Sequence, residues 1–253
     1  MLSQTRGIED QDTVGLARTH AYVTATSSLP LAEWEDLWQQ HSPMFIEAVG
    51  RGGAVSGRAS FEDELLFCLL GGYGISYEHA ASAAIVIKPL QVFGGNWTND
   101  ELAARLADEL SNPQFGPPRS NGQPRRYRFP VRKADLLVQA RGWYLELGDP
   151  VDRLDSLRSE GDRRLLLCGC PGIGPKTASW ILRNIGLATR LAIIDIHVCR
   201  VMSHCGLIDR VQLPRDYGVA EDAFLKWCDR LAAPPDAFDL FLWECQRMLR
   251  GLQ

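Results

Sequence analysis

The sequence predicts an all-α protein. Apolar residues recur at helical spacing along most of the chain from Leu31 onward. The alternation of apolar and polar residues that is typical of strands is almost absent. Only the short apolar run 191–194 has an extended pattern, and it is too isolated to build a sheet. Of the 253 residues, 45% are hydrophobic and 23% are charged, which argues against a disordered, collagen-like or coiled-coil chain.

The predicted helices follow an N-terminal arm, residues 1–28, which has no clear periodicity and which we expect to be loosely ordered. The glycine-rich run 71–74 ends the second helix. Because this run follows a helix and not a strand, it is not a dinucleotide-binding loop. In chain order the predicted helices span 31–49, 61–70, 77–87, 101–110, 131–144, 163–168, 176–185, 196–205, 221–231 and 238–249.

The seven cysteines are predicted to be reduced core residues. Their number is odd, they lie in apolar surroundings, and a chain of this length does not need disulfide bonds. Their spacing fits neither a zinc site nor an iron–sulfur cluster, so we expect no metal and no cofactor. A polar N-terminus and the lack of any apolar run of about 18 residues predict a cytoplasmic protein, associated with the nucleoid if the source is a prokaryote.

A segment rich in arginine and aromatic residues spans positions 113–134. The net charge of the whole chain is -4, which by itself disfavours a polyanionic partner. This segment, however, contains no acidic residue, and its side chains Arg125, Arg126 and Arg128 are typical of a surface that follows a nucleic-acid backbone. Its five prolines fit a solvated loop equally well, so both interpretations stay open.

A helix-hairpin-helix is predicted around residues 171–174. Two glycines in this turn are free to take positive φ, and Pro175 suits the first position of the following helix. Backbone N–H groups at a helix N-terminus bind phosphate without reading sequence. The predicted phosphate-binding residues are Gly172, Ile173 and Gly174. The turn alone favours DNA binding over catalysis.

Two residues make this hairpin a candidate active site. Lys176 lies in the first turn of the second helix, where the helix dipole and partial burial disfavour the protonated amine, as a nucleophile requires. Asp195 precedes a predicted helix, so its carboxylate is expected to accept N–H groups as an N-cap and to stay ionised. The N-cap is the commoner role for such an aspartate, and it is compatible with catalysis. His197 is expected to be structural.

These motifs resemble the helix-hairpin-helix DNA glycosylase superfamily. The resemblance is carried by residues 170–179, which contain the hairpin and Lys176, and by residues 192–200, which contain Asp195. Within the superfamily the sequence is most similar to the 8-oxoguanine DNA glycosylases of the archaeal and bacterial type. The segments that support this subfamily are 61–70, 127–134, 179–186 and 238–243.

The resemblance implies a two-lobed all-α fold with a DNA-binding cleft between the lobes. Residues 60–189 are then a central helical barrel with the hairpin, and residues 29–59 and 190–253 form the other lobe. The implied function is a bifunctional glycosylase and abasic-site (AP) lyase of base excision repair, which removes 8-oxoguanine from duplex DNA. The implied partner is double-stranded DNA with a flipped base, and we expect a monomer.

The resemblance also implies roles for single residues. Lys176 attacks C1′ of the flipped nucleotide and forms a Schiff base from which β-elimination nicks the strand, while Asp195 stabilises positive charge on the sugar. Trp180, one helical turn after Lys176, shares its face and is expected to stack on the base. Trp243 and Asp239 on the last helix are candidates for the opposite pocket wall and a base-edge contact. Both tryptophans also fit a core position.

The loop after the second helix departs from the family pattern. The family has a polar loop here whose side chain fills the gap left by the flipped base, whereas this chain has the glycine-rich stretch 71–76. Tyr73 or Ile75 is the candidate DNA wedge. Such a rim favours, as one alternative, a glycosylase that acts on another modified or hypermodified base. The alternative from a different class is a non-catalytic helix-hairpin-helix protein that binds DNA and leaves every lesion intact.

Overall fold

The structure is a computed structural model that describes residues 29–51, 58–72 and 74–250. The arm predicted at residues 1–28 lies outside these ranges. Within them the chain is helical, and the only strand-like pairing is an isolated antiparallel bridge between Phe115 and Arg125. The all-α prediction is therefore confirmed. None of the described helices is both long and apolar enough to span a membrane.

The described residues contain eleven α-helices. They are α1 (Leu31–Arg51), α2 (Arg58–Leu70), α3 (Tyr77–Ile87), α4 (Asn99–Ser111), α5 (Pro130–Leu147), α6 (Pro150–Ser156), α7 (Glu160–Cys168), α8 (Pro175–Asn184), α9 (Ile196–His204), α10 (Tyr217–Leu231) and α11 (Pro235–Arg250). A 3₁₀ turn, Lys88–Leu90, extends α3. By their contacts the described residues divide into two units, which we call the hairpin unit (58–187) and the terminal unit (29–51 with 188–250).

Helix α2 lies at the centre of the hairpin unit, where it packs against α3, α5, α6 and α8. Phe61, Leu65, Leu69 and Leu70 of this helix are at most 1% exposed. Full burial of one such side chain stabilises a fold by roughly 1.5–3 kcal/mol. A helix surrounded in this way is apolar on most of its circumference, as α2 is. Because α8 packs directly on α2, the candidate nucleophile Lys176 is carried by a helix with a rigid support.

The terminal unit is built around an aromatic cluster that joins α1 to α10 and α11. Trp38 of α1 meets Phe238 of α11 edge to face, with ring centroids 5.0 Å apart. Trp227 of α10 meets the same phenylalanine at 4.7 Å and an interplanar angle of 88°. Edge-to-face pairs contribute about 0.5–1.5 kcal/mol each beyond their buried area. The helix that begins after Asp195, α9, packs against α11 and is thereby fixed to this cluster.

Candidate active site

The turn between α7 and α8 has the geometry that a helix-hairpin-helix requires. Gly172 has a φ of 85°, and a Cβ built on it would lie 2.8 Å from a methyl carbon of Leu136. Ile173 is 5% exposed and donates its N–H to the carbonyl of Cys170 at 3.1 Å. The prediction that Ile173 offers its N–H to phosphate is therefore wrong, since that group closes the turn and the side chain anchors it. In the described part of the chain, the N–H groups of Gly172 and Gly174 have no protein acceptor.

The two glycines of the turn are expected to respond differently to alanine. Gly172→Ala forces a positive φ on an L-residue and a clash with Leu136, so we expect the free energy of unfolding to fall by about 1–3 kcal/mol. Gly174 has a φ of -100° and open space around its Cβ position, so Gly174→Ala is expected to fold with a smaller loss. Its new methyl group would stand beside a free N–H, and we expect duplex DNA to bind roughly tenfold more weakly.

Thermal unfolding and DNA titration of both variants check this prediction. The two variants serve as each other's control, because both add one methyl group to the same turn. Equal losses of stability in the two proteins would contradict the geometry described for Gly172. Unchanged DNA affinity of Gly174→Ala would show that the turn does not approach the phosphate backbone.

Lys176 is the second residue of α8, directly beyond the N-cap Gly174 and Pro175. Its side chain is exposed, so the partial burial expected from the sequence is not found. Lys176 lies close enough to Cys68 of α2 to influence its thiol electrostatically. Burial raises the pKa of the Cys68 thiol well above its usual value, the Glu64 carboxylate raises it further, and the Lys176 ammonium opposes both. Cys68 is therefore a neutral thiol beside the candidate nucleophile at physiological pH.

Trp180 lies one helical turn after Lys176 and is half-buried against α2. Its indole Nε1 is buried without a hydrogen-bond partner of normal geometry in the described part of the chain, although it lies close enough to the Glu64 carboxyl to lower its pKa. Asn184, two turns after Lys176, donates to Glu64 at 3.1 Å. Burial is the larger influence on Glu64 and raises its pKa overall. The polar edge of Trp180 is thus turned toward α2, which leaves only part of its ring available to a base.

The glycine-rich loop is fixed by side chains of the arginine-rich segment. Lys133 donates its Nζ to the carbonyl of Leu69 and, at 2.6 Å, to that of Gly71. The hydroxyl of Tyr127 donates to the carbonyl of Leu70. These donors satisfy carbonyls that the C-terminal turn of α2 leaves without helical partners. Burial, with a smaller effect of the neighbouring Arg132 guanidinium, lowers the pKa of Lys133 to about 8.

Removing this anchor is expected to loosen the loop. Lys133→Met keeps the length and apolar stem of the side chain but leaves the carbonyls of Leu69 and Gly71 without their donor, so we expect a loss of about 1–3 kcal/mol in unfolding free energy. The amide of Ile75, which closes a turn to the carbonyl of Gly72 at 3.1 Å, should then exchange its hydrogen faster. Lys133→Arg retains the donors and is the control. Equal exchange at Ile75 in the Met variant and the wild type would contradict the anchor.

The candidate DNA-backbone arginines are all exposed, but two of them have partners within the protein. Arg125 donates its Nε to the carbonyl of Pro117 at 2.8 Å. Arg128 donates to the carbonyl of Gly74 at 3.0 Å and so adds to the loop anchor. Arg126 has no protein partner in the described ranges. The segment is a loop with internal contacts that also exposes cationic groups, and the role of its arginines at a DNA backbone stays a prediction.

The two wedge candidates differ in what the structure describes. Tyr73 lies outside the described residues. Ile75 is half-buried, and its N–H closes a turn to the carbonyl of Gly72 at 3.1 Å. Its role as a wedge stays a prediction.

Asp195 caps the N-terminus of α9 in the terminal unit. Its Oδ1 accepts the N–H groups of His197 at 2.7 Å and Val198 at 3.0 Å. Its other carboxylate oxygen, Oδ2, accepts no hydrogen bond from the described protein. The carboxylate is half-buried and held in one orientation by the cap. One oxygen therefore orients the group, and the second is available to a positive charge.

The residues proposed for the last helix have different surroundings. Trp243 is 38% exposed, which leaves part of its ring available to a ligand. Asp239 is 4% exposed, and its Oδ2 accepts the backbone N–H of Ile193 at 2.8 Å. A base-edge contact by Asp239 is therefore a prediction that we correct, because its carboxylate is buried and already engaged with the backbone.

All seven cysteines are free thiols. Burial raises the pKa of Cys170 to about 12, and burial followed by the Asp195 carboxylate raises the pKa of Cys199 to about 11. Thiols with such pKa values are poor nucleophiles at neutral pH. Within residues 29–51, 58–72 and 74–250, no group of three or more His, Cys, Asp or Glu side chains converges in a way that could hold a metal ion.

Comparison with known proteins identifies the family. Residues 121–233 match the Ogg-HhH family model, described as 8-oxoguanine DNA glycosylase. The 8-oxoguanine DNA glycosylase/AP lyase of Thermoplasma acidophilum is 30% identical over 183 residues, which cover 71% of this chain and 76% of that protein. The chain belongs to the 8-oxoguanine DNA glycosylase/AP lyase family. Family members from Thermotoga maritima and Metallosphaera sedula are 34% and 32% identical over 120 residues, or 46% of this chain. These alignments span 56% and 57% of the two relatives.

Solved structures of the 8-oxoguanine DNA glycosylase/AP lyase family share the fold. The enzyme of Thermotoga maritima superposes with a TM-score of 0.57 at 26% identity, over 84% of this chain and 93% of that one. The Methanocaldococcus jannaschii enzyme, in complex with a 15mer DNA containing 8-oxoguanine, gives a TM-score of 0.59 at 20% identity and covers 84% and 95% of the two chains. The predicted helix-hairpin-helix glycosylase fold is thereby confirmed.

Several residues around this family's motifs were not singled out from the sequence. Glu64 is an acidic residue in the apolar helix α2 and lies four positions before Cys68, so its place on one helix face was readable. Lys133 was visible only as one more cation in a basic segment. Tyr217 and Glu221, which bind the backbone before Asp195, carry no motif and become recognisable only through their contacts.

Proposed function

We propose that the protein is a bifunctional 8-oxoguanine DNA glycosylase and AP lyase that acts on duplex DNA. The observation that carries this proposal is the position of Lys176. Its exposed amine stands two residues beyond Gly174, whose N–H has no acceptor among the described residues. A hairpin that only held DNA would need no amine at this point. Membership of the family supports the same assignment.

In the proposed reaction, the lone pair of the Lys176 amine attacks C1′ of the flipped nucleotide. The bond from C1′ to the base breaks, and the base leaves with the electron pair and takes up a proton. The sugar ring then opens to a protonated Schiff base. Loss of a proton from C2′ expels the 3′-phosphate and nicks the strand, and water releases the lysine. Each step uses an amine, a carboxylate and water, so the chemistry requires no metal and no redox group.

Asp195 supports this reaction through its charge. Among the described residues the Oδ2 atom accepts no hydrogen bond, while Oδ1 is held by two N–H groups, so the negative charge is presented in a fixed direction. A preorganised charge stabilises the cationic sugar without having to reorient as the base leaves. The carboxylate also serves as a local acceptor for protons released during the later steps.

Borohydride trapping tests the proposal. The substrates are a duplex with one 8-oxoguanine, a duplex with one abasic site and an undamaged duplex, each incubated with the wild type and with Lys176→Gln. We expect a covalent adduct on the first two duplexes with the wild-type protein alone. Trapping on the abasic duplex alone would keep the lyase activity but overturn 8-oxoguanine as the substrate.

The glycine-rich loop favours a second candidate function, a glycosylase that acts on another modified or hypermodified base. Gly72 and Gly74 are exposed and place no side chain where a bulkier base would need room. A panel of duplexes with other modified or hypermodified bases separates the two candidates. Lack of any adduct, together with lack of base release, would leave a protein that only binds DNA.

A further inference from the structure

The backbone that leads into Asp195 is held entirely by side chains of the terminal unit. Three consecutive N–H groups, those of residues 192, 193 and 194, each bind a different side-chain oxygen. The partners are Glu221 Oε1 for Ala192 at 3.1 Å, Asp239 Oδ2 for Ile193 at 2.8 Å and the Tyr217 hydroxyl for Ile194 at 3.2 Å. The same hydroxyl donates to the carbonyl of Ala192 at 2.6 Å.

These partners alternate as an extended backbone demands. Successive N–H groups of an extended chain point to opposite sides. The first and third go to Glu221 and Tyr217, which lie four residues apart on one face of α10, and the middle one goes to Asp239 on α11. The short run therefore obtains from two helices the hydrogen bonds that a sheet normally supplies.

Burying these polar side chains destabilises the fold unless each of them is hydrogen-bonded. Tyr217, Glu221 and Asp239 are each 4% exposed, and a buried carboxylate destabilises a fold unless it is hydrogen-bonded. Hydrogen bonds from backbone N–H groups to carboxylates are roughly twice as strong as those between neutral groups. The result is a stiff segment that ends at the residue immediately before Asp195.

We propose that Tyr217, Glu221 and Asp239 form a cradle that positions the Asp195 carboxylate for base release. The cradle fixes the backbone on the N-terminal side of Asp195, and the α9 cap fixes Oδ1 on the other side. With the backbone and Oδ1 both fixed, the Oδ2 atom is held in one orientation. The inference rests on the proposed function, since it needs Asp195 to act on the substrate. The three residues are positioning residues and do not touch the reacting atoms.

Tyr217→Phe is the sharpest test because it removes the two hydrogen bonds of one hydroxyl and keeps the ring. We expect single-turnover base release from the 8-oxoguanine duplex to slow by about tenfold to a hundredfold, since small displacements of a charged group have effects of this order. DNA affinity should stay unchanged. Tyr144→Phe in the hairpin unit is the matched control, because Tyr144 is also a buried tyrosine and donates its hydroxyl to a side chain, that of Glu62.

A double-mutant cycle separates positioning from general stability. If Tyr217 acts through Asp195, the double variant Tyr217→Phe with Asp195→Asn releases base no more slowly than Asp195→Asn alone. The inference is overturned if the two effects multiply, or if Tyr217→Phe slows base release no more than Tyr144→Phe. Should Tyr217→Phe fail to fold, Glu221→Gln, which keeps an acceptor oxygen, takes its place in the same cycle with the same two outcomes.

Failure of the proposed function gives a different result. If Asp195→Asn releases base at the wild-type rate, Asp195 has no catalytic role. The cradle then has no catalytic group to position, and the inference is overturned together with that role. If the wild type releases no base from the 8-oxoguanine duplex, the rate of borohydride trapping on the abasic duplex replaces base release in the cycle. A cradle effect that persists on that substrate supports the positioning role independently of the base.

Discussion

Lys176→Gln should form no borohydride-stable adduct with any duplex and should release base at least about a thousandfold more slowly than the wild type. Glutamine has a similar length and suits the first turn of a helix, but its amide nitrogen is not nucleophilic. Because Lys176 is exposed, the substitution leaves no cavity and no buried group without a partner. Thermal unfolding should therefore be unchanged, and DNA affinity should fall only by the contribution of one charge.

The control for this variant is Lys226→Gln. Lys226 is exposed on α10 of the terminal unit, so its substitution removes the same charge from a residue that is not part of the hairpin. Wild-type trapping by this control and none by Lys176→Gln would assign the Schiff base to Lys176. An adduct that persists in Lys176→Gln would contradict the assignment. Lys133 would then be the first lysine to replace, because burial lowers its pKa to about 8.

Asp195→Asn should slow base release by about a hundredfold to a thousandfold, because a neutral amide does not stabilise a cationic sugar. The folded state should change little, since asparagine caps helices about as well as aspartate and its side-chain oxygen can accept the same N–H groups of His197 and Val198. Single-turnover base release, together with thermal unfolding of the same protein, measures both parts of this expectation.

Asp149→Asn is the matched control for the charge. Asp149 caps α6 with the same geometry, in which one oxygen accepts the N–H groups of the residues two and three positions ahead. Asp195→Ala adds a variant that loses the cap, at a cost of about 1 kcal/mol. If Asp195→Asn and Asp149→Asn release base at equal rates, Asp195 is a structural cap and nothing more.

The sequence was sufficient for features that depend on neighbours along the chain. The hairpin turn could be read from Gly172 and Gly174, and the cap of α9 from Asp195, because both need a particular residue type at a fixed offset from a helix. The short helix α6 was missed, since seven residues are too few to display a period. Its start could nonetheless have been recognised locally, because Asp149 is in the N-cap position and Pro150 follows in the first turn.

Contacts between distant residues could not be predicted in the same way. Lys133 binds a carbonyl 64 positions earlier, and Asp239 binds an N–H 46 positions earlier. In the sequence, Lys133 was one cation of a segment typical of a nucleic-acid surface, and the family resemblance made Asp239 a candidate for a base-edge contact. Both turned out to satisfy backbone groups, because a buried backbone atom that has no helix or sheet partner must find one elsewhere. The solvent exposure of Lys176 could likewise not be predicted from its position in the helix alone.

The pairing of α1 with α11 has a consequence for how the protein emerges from the ribosome. The hairpin unit is continuous in sequence and can gain its core while later residues are still being added. The terminal unit closes only when Phe238 of α11 reaches Trp38 of α1. Asp239, one residue further on, is the acceptor for Ile193. We therefore expect a nascent chain to acquire its phosphate-binding turn first and the supported form of Asp195 only after Phe238 and Asp239 have been synthesised.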